Sequence, residues 1–265
     1  MGPLGPEKEK NMTRNPIRDL TLTSVFAAII LVMTFVPQLG FITLGITELT
    51  LIHIPVLIGV FLLPKRYAFV LGFVFGLGSL LRALQINAGI AIAFTNPLVS
   101  ILPRLLFVLV SIYLYKGITA LEGKFKKSDV VIFSFVALVT IVGVFYSSTA
   151  IANFAGWNQA TLNFIALILS TILISLYYAF IAGKKKENIL FPSVLLLSSL
   201  MHTIIVLTAI LIFSRQLLVD LLLTENVIGV LVAIAATNGL VEAFLAAVIG
   251  TPIILALKQV QENHS

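Results

Sequence analysis

The chain has 265 residues, 59% hydrophobic and only 11% charged, with a mean hydropathy of +1.11. Soluble domains carry about 25% charged residues; no soluble fold of this length hides so much apolar surface, so the composition dictates an integral membrane protein. Cysteine is absent, which excludes disulfides, thiolate metal sites and thiol catalysis, and the net charge of +6 falls in short clusters between apolar runs rather than in a nucleic-acid-binding stripe.

The first eleven residues, MGPLGPEKEKN, have the Gly/Pro and charged character of a flexible tail, and the tail is expected to run to residue 19. The first apolar run begins near Leu20, follows basic residues and has no small-residue cleavage site, so it reads as a retained helix rather than a signal peptide. A spanning helix needs about 20 apolar residues. Candidate helices cover 20–36, 49–64, 67–84, 97–116, 129–150, 161–183, 191–213 and 228–255, predicting an all-α bundle of about eight transmembrane helices. Between them, 37–48 contains Pro37, Gly40 and Gly45 and reads as a structured loop, while 85–96 is apolar enough to re-enter the membrane in part.

Basic residues orient this bundle. Lys8, Lys10, Arg14 and Arg18 precede the first span, and Lys65 and Arg66 follow the second. Lys116, Lys124, Lys126 and Lys127 follow the fourth, Lys184, Lys185 and Lys186 the sixth, and Lys258 the eighth. With eight helices all of these share one side, which the positive-inside rule places in the cytoplasm with both termini. The opposite loops hold only Arg215.

Few polar residues remain inside the spans, and each has two readings. Arg104 lies several residues into the fourth span, where a charge is costly unless it faces a cavity or a partner. It binds an anionic ligand or pairs with Glu242. Glu242 follows Asn238 by four residues, so both share one helix face, as a pocket stripe or as glue between helices. His202 sits mid-span as a ligand contact or a helix–helix hydrogen bond; with no partner at ligand spacing, metal binding is not expected. His53 has packing and substrate contact as open readings, and Arg82 snorkels to the interface or closes a site. Trp157 reads as an interfacial anchor. Ser24 with Ala28, and Gly72 with Gly76, form small-residue pairs four apart, each letting another helix approach closely. HExxH, GxSxG and GxxxxGK[ST] signatures are missing, so no enzyme is expected, and any ATP must be bound by another polypeptide.

The stretches ITELTLIHIPVLIGVFLLPKRYAFVLGFVFGLGSLL, FTNPLVSILPRLLF and NGLVEAFLAAVIGTPIILAL together resemble the substrate-binding S components of energy-coupling factor (ECF) vitamin transporters, in the pantothenate-type branch. The likeness covers about 20–118 and 191–258. It implies a vitamin-binding subunit of the bacterial cell membrane that captures its substrate outside, in a pocket closed by the loop after the first helix. The subunit then docks on a transmembrane T subunit coupled to two ATPases and reorients to release the vitamin inward. ATP and Mg would be held by the ATPases, with no cofactor on this chain. Such components usually have six helices, so 119–190 reads as a cytoplasmic loop plus an inserted helical hairpin. Residues 20–118 and 191–258 then form the core, and 259–265 a cytoplasmic tail.

By this resemblance Ser24 and Ala28 contact the T subunit, with Gly72 and Gly76 as an extension of that surface. A desolvated carboxylate such as that of pantothenate favours a guanidinium, so Arg104 is the first pocket candidate and Arg82 the second. Asn96, His202 and Asn238 would meet hydroxyls and amides, and Phe41 would exclude water. The fifth family helix often reads TNT where this chain has Met201-His202-Thr203, which leaves cobalamin, folate or a pyridoxine-like vitamin open. Outside the family, a stand-alone secondary transporter would need two pseudo-symmetric halves, and no repeat is evident. A membrane enzyme using His202 and Glu242 has no nucleophile motif, and an assembly factor would use its polar residues only for packing.

Overall fold

The computed structural model describes residues 16–44, 47–124, 128–181, 187–222 and 226–263. Lys8, Lys10, Arg14, Gly45, Lys126, Lys127 and Lys184 to Lys186 lie outside these. In hydrocarbon the backbone has only itself to bond to, so the apolar runs close into helices. Helix α1 (Pro16–Phe35) leads through a short turn, α2 (Pro37–Gly40), into an antiparallel hairpin of β1 (Phe41–Leu44) and β2 (Thr47–Thr50), with Phe41 opposite Thr50. Then come α3 (His53–Leu62) and α4 (Lys65–Ile86), followed by a 3-10 turn over Gly89–Thr95. A single turn, α5 (Pro97–Ser100), precedes α6 (Leu102–Lys124). Two long outer helices follow, α7 (Ser128–Ala155) and α8 (Gln159–Ile181), then α9 (Glu187–Phe213) and α10 (Arg215–Leu222). The last pass runs from α11 (Val227–Ile234) through a π turn, Ala235–Gly239, into α12 (Leu240–Asn263).

Among the described residues, seven helices are long and apolar enough to cross a membrane, making this a multi-pass membrane protein. The second expected span is corrected. Residues 47–50 are strand, and α3 has ten residues, about 15 Å of helix. The loop expected over 37–48 is accordingly ordered by pairing of β1 with β2. Thr34, near the end of α1, packs on Gly78, towards the end of α4, so these two helices run the same way. The chain therefore returns between them through the hairpin and α3, whose residues from His53 to Val60 are all buried. Helix α4 runs antiparallel to α6 (Gly72 on Val108, Gly76 on Ile101), and α9 antiparallel to α12 (Thr203 on Gly239, Leu195 on Gly250).

Close approach explains the glycines of α4. A Cβ on Gly76 would lie 2.8 Å from the Ile101 Cα, and one on Gly72 would lie 2.7 Å from Val108 Cγ2 and 3.2 Å from the Arg104 carbonyl oxygen. Gly72 and Gly76 are thus buried against α6, and the expectation that they extend a partner-docking surface is corrected. Ser24 and Ala28, by contrast, are exposed on α1, whose Phe26, Ile30 and Thr34 turn inward. The core gathers Phe75, Phe107, Phe191, Leu57, Leu71 and Leu195 where α3, α4, α6, α9 and α12 meet. Helices α7 and α8 pair with each other and leave most of their apolar side chains exposed. Trp157 is exposed in the turn joining them.

Candidate functional site

Side chains at three- and four-residue spacing on α4 (Phe75, Ser79, Arg82, Ile86) and α9 (His202, Thr203, Val206, Ile210) form two facing stripes. Together with Arg104, Asn238, Glu242, the hairpin and the 3-10 turn they enclose a cavity of about 480 Å³. Of the residues expected at a site, Arg104, Arg82, His202, Asn238 and Phe41 line it, and so does Glu242. Asn96 does not: its side-chain oxygen accepts from the Leu98 N–H and caps α5 ahead of Pro97.

Arg104 owes its position to a proline. Pro103 has no N–H, so the Val99 carbonyl four residues back loses its helical donor. The Arg104 guanidinium supplies one, Nη1 donating to Val99 O at 2.8 Å, while Nη2 donates to Ser79 Oγ at 3.2 Å. Its Nε is buried without a partner. The Phe75 and Phe94 rings flank the guanidinium at 5.2 and 5.1 Å. No salt bridge joins Arg104 to Glu242, so of the two readings open for Arg104 the ion pair is the one the structure does not form. Glu242 instead ties the hairpin to the bundle: Oε1 accepts from the Thr50 N–H at 2.6 Å and Oε2 from Thr203 Oγ1 at 3.3 Å. Arg82 holds the other strand, its guanidinium carbon 3.3 Å from the centre of the Phe41 ring. The hairpin is thus fastened over the cavity at both strands.

His202 reaches the cavity wall with both ring nitrogens buried and unpartnered. Its ring stacks on His53 at 5.4 Å and lies 4.8 Å from Phe107 and 5.6 Å from Phe75. His53 stands behind it, its Nε2 2.9 Å from Ser199 Oγ, and does not line the cavity. Asn238 is buried on the π turn one helical turn before Glu242. The sequence reading missed Thr50, Ser79, Phe94 and Thr203. Ser79 was within reach, four residues after Phe75 and three before Arg82, on one face of α4. Thr50 and Phe94 carry no such signal, because the hairpin and the 3-10 turn place them.

An apolar wall that carries two guanidiniums and an amide, with the Arg104 Nε and both His202 ring nitrogens buried and unpartnered, suits a small, oxygen-rich anion. The family model for the ECF transporter substrate-specific component matches residues 18–161. The chain is also 37% identical over 101 residues to the pantothenate transporter PanT of Leuconostoc mesenteroides subsp. mesenteroides, across 36% of this chain and 49% of the relative. It therefore spans about half the length of the curated relative it matches.

Proposed function

The chain belongs to the family of ECF transporter substrate-specific components, transport subunits rather than enzymes, and we propose that its cavity binds pantothenate. The observation that carries this reading is the presence of an unpartnered Arg104 Nε and unpartnered His202 nitrogens at one cavity. Burying a polar group without a partner costs about 1–3 kcal/mol, so a ligand that supplies acceptors to Arg104 and one imidazole nitrogen, and a donor to the other, recovers it. The carboxylate lies against Arg104 with Arg82 near, and the hydroxyls and amide face His202 and Asn238. The relative's name supports this substrate, and about 480 Å³ is too little for a corrinoid macrocycle.

Charge distribution supports the direction of uptake. Arg18, Lys65, Arg66, Lys116 and Lys258 all stand at the end of the bundle opposite the hairpin. The positive-inside rule puts that end in the cytoplasm and the cavity mouth outside. The hairpin then opens to admit the vitamin, and release follows reorientation on a T subunit whose two partner ATPases bind Mg and hydrolyse ATP. The outward face of α1, with Ser24 and Ala28, is the docking surface. The test is titration calorimetry of purified protein with pantothenate: wild type binds, and Arg104→Ala loses at least about 100-fold in affinity as a charged, hydrogen-bonded contact is lost. Unchanged affinity in a folded Arg104→Ala protein overturns the assignment of Arg104.

A further inference from the structure

Helices α7 and α8 contribute nothing to the cavity wall, yet α7 touches the π turn, Ala235–Gly239, whose Asn238 does. A π turn carries i→i+5 bonds, so it leaves carbonyls badly set for an ordinary helical partner, and such turns recur at functional positions. In hydrocarbon a carbonyl without a donor is costly. Two hydroxyls address this: Thr237 Oγ1 donates to Ala233 O at 2.9 Å, and Ser147 Oγ, from α7, donates to Ala236 O at 2.5 Å. Ser147 also lies 2.9 Å from Gly143 O on its own helix. A hydroxyl has one proton, and Ser147 places it between its own helix and the π turn, within reach of both carbonyls.

The approach is built for this bond. A Cβ on Gly143, one helical turn before Ser147, would lie 2.8 Å from Leu240 Cδ2, directly after the π turn. Gly143 therefore lets α7 come close, and Ser147 makes the polar contact. We infer that Ser147 is a positioning residue for the substrate cavity: it holds the π turn that aims Asn238 at the ligand. If the turn relaxed to α-helix, one residue would be taken back into the ladder, and the α11 side of the helix would rotate by about 100° relative to the α12 side. Asn238 would leave the line it shares with Glu242. The outer helix pair then acts on substrate binding without touching the substrate.

The inference rests on the pantothenate reading for its affinity readout, and a second readout is independent of any ligand. In the purified full chain, Ser147→Ala weakens pantothenate binding about 3- to 10-fold, the size of one lost or misaimed hydrogen bond. It also speeds amide hydrogen exchange across 235–239. Ser147→Thr keeps the hydroxyl and returns both towards wild type. In an Asn238→Ala background, Ser147→Ala costs nothing further. Unchanged affinity in Ser147→Ala overturns the inference, and so does an equal loss with and without Asn238. Should wild type itself not bind pantothenate, the ligand reading falls instead. Exchange over 235–239 then decides alone: acceleration sustains the brace, and no change removes it.

Discussion

The outward face of α1 and the α6-facing side of α4 carry the same sequence signal and do opposite things. Ser24 and Ala28 are four apart, as are Gly72 and Gly76, and both pairs allow a neighbouring helix to come close. On α4 the neighbour is already present, with α6 backbone and side chains where Cβ atoms would stand. On α1 both residues are exposed, and Ser24 Oγ merely returns to its own Leu20 carbonyl at 3.0 Å. In a water-soluble protein polarity would tell the two faces apart. Here both are flanked by apolar residues, since lipid and protein interior are equally apolar.

Substitutions that fill these faces would break or sharpen the contrast. Gly76→Ala should have the largest effect on the isolated chain, because its Cβ meets the Ile101 backbone, which cannot step aside. Overpacking of this kind costs about 1–3 kcal/mol, readable as a lower melting temperature in detergent. A neutral result would mean that α4 and α6 are not in contact there. Gly78→Ala should cost less than about 1 kcal/mol, since the nearest atom, Thr34 Oγ1 at 3.1 Å, belongs to a side chain that can rotate. Smallest of all, Ser24→Leu combined with Ala28→Leu should leave melting and pantothenate affinity of the isolated chain unchanged. The same double variant should lose uptake in liposomes that contain the T subunit and ATPases. Retained uptake would remove this face of α1 from the docking surface.

Much of the fold could be read directly because a bilayer allows so few solutions. Apolar runs of sufficient length became helices, and Arg18, Lys65, Arg66, Lys116 and Lys258 gather at the end away from the hairpin. The second span was misread because residues 49–64 are mostly apolar, and hydropathy cannot separate a strand end followed by a ten-residue helix from one full span. Asn96 was misassigned although its signal was local: Asn ahead of Pro is a helix start, and a side chain that caps its own helix is already engaged. For Glu242 the sequence left a pocket stripe, helix glue and an ion pair with Arg104 open, and the ion pair did not form. Opposite charges suggest a pair, but the Thr50 N–H and the Thr203 hydroxyl reached the carboxylate, and the orphaned Val99 carbonyl took Arg104.

By itself the sequence determined what the bilayer enforces: the membrane class, the helical architecture and the family likeness carried by ordered motifs. It also isolated a handful of buried polar residues, because each is costly in hydrocarbon and few would be kept without use. Tertiary structure alone decided what those residues meet. It turned one small-residue face inward and left the other outside, fastened the hairpin with Glu242 and Arg82, and set Ser147 against a π turn 89 residues away. Such pairings depend on helix rotation and register, and a change of one residue turns a side chain by about 100°. Periodicity within a single helix cannot say which neighbour stands opposite.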